Sequence, residues 1–112
     1  MLAKNGFVFI ALLAAIGAFA APASADDNGL AYIHDLRTEG GRSCFLDHFH
    51  YGSGTGATKN AAQRDAISSW QSFTAFEYGT DWARFGRAAS KSVSCSKSAS
   101  GYECSLNARP CK

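Results

Sequence analysis

Four cysteines, Cys44, Cys95, Cys104 and Cys111, narrow what this chain can fold into more than any other feature. All four lie among the 87 residues that follow position 25 of the 112-residue sequence. A domain of that length buries only about 60–65% of the surface its unfolded chain exposes, so covalent staples are an expected supplement to a modest core. An even count fits two disulfides. Zinc is the competing use of four cysteines, but their spacing lacks the pairs about two to four residues apart that structural zinc sites use.

Oxidised cysteines need an oxidising compartment, and the first 25 residues read as an address for one. Lys4 is followed by an apolar run over residues 7–21, then Ala23-Ser24-Ala25 ahead of Asp26-Asp27, the pattern of a cleavable secretory signal. That run covers 15 positions, short of the roughly 20 that a spanning helix needs, and no second apolar stretch follows. The expected organisation is a signal peptide at 1–25, a partly extended or flexible segment at 26–43, and one disulfide-stapled domain at 44–112. The product is expected in a bacterial periplasm or the medium. Once Lys4 leaves with the signal, ten basic and nine acidic residues remain, so net charge selects no class of partner.

Residues 60–78 carry the clearest helical period. Ala66, Ile67, Trp70, Phe73 and Glu77 fall on one side at spacings of three and four. Asn60 with Gln63 resembles a capping pair, and Gly79 suits the position just beyond a helix end. Glu77 on the apolar stripe demands a partner, and Arg84 or Arg109 is the expected one. A second, shorter helix is expected after Thr80, with Asp81 in its first turn and Trp82, Phe85 and Ala89 as its stripe. The two helices would form a hairpin or corner.

From Lys91 onward the period drops to two. Pairing Val93 with Leu106 and Cys95 with Cys104 puts apolar residues on one face of both strands, around a two-residue loop at Ala99-Ser100. In that register Cys95 and Cys104 are close enough to bond, which leaves Cys44 for Cys111. A bulge at Gly101 would shift the pairing, and a bond from Cys44 to Cys95 or Cys104 would pin the hairpin to the N-terminal segment instead.

The chemically richest stretch is Cys44-Phe45-Leu46-Asp47-His48-Phe49-His50-Tyr51. In an extended strand His48 and His50 share a face, so both imidazoles could reach one Zn or Cu ion, with His34 or Asp47 completing the shell. The competing reading packs both histidines beside Phe49 and Tyr51 with backbone hydrogen bonds. The glycines of Gly52-Ser53-Gly54-Thr55-Gly56 read as a flexible linker or an anion-binding helix start, since no phosphate-loop lysine follows. Arg84, Arg87 and Lys91 form a basic stripe suited to an anionic surface, or simply to solvent. Nucleic acid is the least favoured partner, because Trp82 and Phe85 point away from those charges. No Gly-x-Ser-x-Gly elbow or other catalytic signature is present, and no catalytic residue is assigned.

These segments, together with Trp70, Phe73-Thr74-Ala75-Phe76-Glu77-Tyr78-Gly79, Trp82-Ala83 and Ala108-Arg109-Pro110-Cys111, make one pattern. It resembles that of small uncharacterised secreted proteins of alphaproteobacterial type, over most of residues 44–112. The resemblance implies that the histidine-bearing segment and the cysteine-rich end belong to one domain, and it implies no activity. The expected fold is α+β, a helical hairpin or corner followed by a C-terminal β-hairpin. The expected role is a non-enzymatic binding or accessory protein of the envelope or secretome, without a cofactor and with a protein or envelope component as partner. The alternative is a Zn- or Cu-binding protein that uses His48 and His50.

Overall fold

The computed structural model describes residues 25–112, so most of the expected signal segment lies outside the described residues. Strands β1 (Leu36–Glu39) and β2 (Arg42–Phe45) form a small antiparallel hairpin. Strand β3 (His50–Gly56) leads into helix α1 (Lys59–Tyr78), and β4 (Ala89–Ser98) and β5 (Gly101–Arg109) form the C-terminal hairpin. The second sheet has the order β3-β5-β4, all antiparallel. The fold is α+β, with one helix lying on one face of the three-stranded sheet. Among the described residues no helix is long and apolar enough to cross a membrane.

Helix α1 begins one residue before the expected Asn60, because Thr58 is its cap: the Thr58 side chain accepts from the Ala61 amide at 3.1 Å. Its buried positions are Ala62, Ala66, Trp70, Thr74 and Tyr78, a strict i, i+4 row. Phe73, expected on the apolar stripe, is 53% exposed. The row is alanine at its first two positions and carries Trp70 and Tyr78, on either side of Thr74, in its second half, and β3 runs antiparallel beneath it with a matching sequence. The inward positions of β3 are His50, Gly52, Gly54 and Gly56. A Cβ on Gly54 would fall 2.3 Å from the Ala66 amide nitrogen, and one on Gly52 would fall 2.4 Å from the Ala66 carbonyl oxygen. The glycines therefore let the helix backbone rest directly on the strand, and they form core rather than the expected linker. Gly56 gives way at once to the helix cap.

The expected second helix is instead two short 3-10 turns, Thr80–Trp82 and Phe85–Arg87. The reason is visible in where its aromatic residues go. Trp82 packs with Ala31, Phe45 and Tyr78, whereas Phe85 packs with Trp70 and Leu106 in a separate cluster. A single α-helix would aim both rings the same way. Ala89, expected on that helix, opens β4.

The C-terminal hairpin has the expected register, with Val93 opposite Leu106 and Cys95 opposite Cys104, and no bulge at Gly101. Both disulfides form: Cys95–Cys104 within the hairpin, and Cys44–Cys111 across 67 positions. The second ties β2 to the chain end, where Ser43 and Lys112 also exchange backbone hydrogen bonds. Arg109, 5% exposed, spans the same junction: its guanidinium pairs with Glu39, with Nη2 to Oε1 at 2.7 Å, and donates to the Phe45 carbonyl. Arg109 is thus committed to Glu39 and is not the partner expected for Glu77.

Candidate metal centre

Because the inward face of β3 is glycine at three successive positions, His50 is the first side chain on that face, and it enters the gap between strand and helix where the buried row of α1 widens. The gap is fixed from both sides. Trp70 Nε1 donates to the His50 carbonyl oxygen at 3.0 Å, and Thr74 Oγ1 lies 3.1 Å from His50 Nδ1. The ring is held against Tyr78 and Phe73, with centroids at 5.1 and 4.9 Å. His50 is 2% exposed.

His48 lies two residues earlier in the turn between β2 and β3, with its ring 5.1 Å from that of His50. Glu77 reaches the same place from the last turn of α1, and its Oε2 is 3.1 Å from His50 Nε2. One donor atom from each of His48, His50 and Glu77 lies within 4.8 Å of the other two. Burial pushes the pKa of both His48 and His50 down, in His50 against the pull of the Glu77 carboxylate, so both rings favour the neutral form that binds metals. Two imidazoles and a carboxylate form the donor set of open Zn centres and of several other transition-metal sites.

His34 belongs to the surroundings of this group and not to the donors. Its ring stacks on His48 at 4.5 Å, and its Nε2 lies 2.9 Å from the Tyr78 hydroxyl. Tyr78 also donates to Glu77 Oε1 at 3.3 Å, and burial raises its pKa. Asp47 is exposed and lines, with Ile33, His34, Asp35 and His48, a cavity of about 300 Å³ that opens beside the cluster. The basic residues do not share one helix face. Arg84 lies in extended backbone between the two 3-10 turns, Arg87 ends the second, and the Lys91 ammonium donates to the Gly86 carbonyl and lies 5.6 Å from the Phe85 ring centre.

The sequence pointed to His48 and His50 but missed Glu77 and Thr74 as their companions. Glu77 carried a signal, an acid on an apolar stripe, yet its nearest titratable partner is a histidine 27 positions away and not an arginine. Thr74 carried none, since a mid-helix threonine is unremarkable until a ring is seen against it. No known protein family, curated protein or solved structure matches this chain.

Proposed function

We propose that this is a small exported, non-enzymatic binding protein whose ligand is a divalent transition metal, held by His48, His50 and Glu77. The observation that carries the reading is the convergence of those three donor atoms within 4.8 Å from three separate places in the chain. Two disulfides support export.

Native mass spectrometry of protein purified from an oxidising compartment, before and after a chelator, tests it. The expected result is a chain four hydrogens lighter than its reduced form that takes up one Zn or Cu, with uptake lost in both His48→Ala and His50→Ala. A folded wild type that takes up neither ion refutes the metal reading.

A further inference from the structure

Thr74 has one hydroxyl proton, and the structure shows where it goes. Thr74 Oγ1 donates to the Trp70 carbonyl one turn back at 2.7 Å, so it can only accept from His50 Nδ1 at 3.1 Å. Nδ1 therefore carries a proton, and in a neutral ring Nε2 is left with a bare lone pair. That Nε2 is buried and has no hydrogen-bond partner among the described residues. The atom beside it is the carboxylate oxygen of Glu77, at 3.1 Å but outside hydrogen-bond geometry. Two acceptors facing one another across a buried gap call for a positive charge between them, either a proton or a metal ion.

We infer that Thr74 holds His50 in the Nδ1–H tautomer and so builds a two-histidine, one-carboxylate centre for Zn2+ or Cu2+, in which His50 Nε2 and the Glu77 carboxylate are adjacent ligands. This rests on the metal reading above and specifies its coordination. The spacing fits. Two ligands each about 2.1 Å from one ion are about 3.4 Å apart at a tetrahedral angle and about 3.0 Å apart at a right angle, and the observed separation of 3.1 Å lies between. The direction fits as well. A proton shared by Nε2 and Glu77 wants the oxygen on the N–H axis, whereas an ion on that axis needs the second ligand off it. Calcium and magnesium are poor candidates, because they require about six or more oxygen donors.

Thr74 then has the role of the outer partner that fixes which nitrogen of a histidine is free to ligate. Its nearness to the site is a product of the i+4 row of α1, which sets it between Trp70 and Tyr78.

The test combines one spectrum with one pair of variants. Long-range 15N–1H correlation of the His50 ring in metal-free wild type at neutral pH is expected to show a protonated Nδ1 and a bare Nε2. A proton on Nε2, alone or together with one on Nδ1, overturns the inference. Zinc affinity, measured by competition with a chromophoric chelator, is expected to stay near wild type in Thr74→Ser and to fall about 10- to 100-fold in Thr74→Val. Equal affinity in all three proteins also overturns it. If Thr74→Val does not fold, the wild-type spectrum and Thr74→Ser decide. A bare Nε2 in a protein that binds no zinc refutes the metal reading, whereas zinc binding with a protonated Nε2 in the apo form refutes the role of Thr74 alone.

Discussion

Gly54 and Ala66 bring a strand and a helix into backbone contact: a Cβ on Gly54 would lie 2.3 Å from the Ala66 amide nitrogen. No side chain can yield there, because the obstructing atoms are backbone, so relief requires moving α1 off β3.

Gly54→Ala is accordingly expected to cost about 3 kcal/mol or more, at the upper end of what overpacking costs. Gly86→Ala is the control, since a Cβ there meets nothing within 4 Å and the backbone is not left-handed. It should change stability by less than about 0.5 kcal/mol. Urea unfolding of both variants checks the pair, and a mild effect at Gly54 would mean that the helix is not seated on the strand.

The two disulfides should differ in worth because they close loops of different length. In the chain-entropy account the bond across 67 positions is worth about 4 kcal/mol, and the bond across nine is worth about 2.5 kcal/mol. The paired variant Cys44→Ser with Cys111→Ser should therefore unfold at lower denaturant than Cys95→Ser with Cys104→Ser. The reverse order would place the dominant constraint inside the hairpin.

Acid should weaken the junction of the chain ends. Hydrogen bonding by the Arg109 guanidinium, helped by Arg37, holds the Glu39 carboxyl at about 2, and Lys112 does the same for Asp27, also at about 2. Both carboxyls titrate lower in the folded chain than in the unfolded one, so their contribution is complete above about pH 4.5 and is lost as pH falls toward 2. Denaturant midpoints followed over that window should fall with acid in the wild type and fall less steeply in Glu39→Gln. Parallel curves would mean that the Glu39–Arg109 pair adds nothing.

Metal should stabilise the fold, since an ion that binds only the native state adds about 2.7 kcal/mol at 100 times its dissociation constant. Zinc is expected to raise the thermal midpoint of the wild type and to leave that of Glu77→Ala unchanged. Glu77→Ala should fold normally without metal, because its carboxylate is 40% exposed. A zinc response that survives in the variant would remove Glu77 from the ligand set.

Much of this protein was legible along the chain. Val93 opposite Leu106 followed from period-two alternation, and that register brought Cys95 to Cys104 and left Cys44 for Cys111. The long helix was legible from its apolar recurrence, although its cap is Thr58 and its buried row runs through Thr74 where Phe73 was expected. The stretch from Trp82 to Ala89 misled, because rings at helical spacing serve two separate clusters and neither shows in local order.

The sequence by itself therefore determined the local periods and favoured the hairpin register and disulfide pairing that the structure shows, all of which depend on neighbours or on a strand already in phase. Only the tertiary structure decided what Gly52, Gly54 and Gly56 are for, since a missing side chain acquires meaning from the helix that comes to lie on it. The centre belongs to the same class. His48, His50, Thr74 and Glu77 meet because α1 runs antiparallel on β3, and the distance from Thr74 to His50 Nδ1 has no counterpart in the linear order of residues.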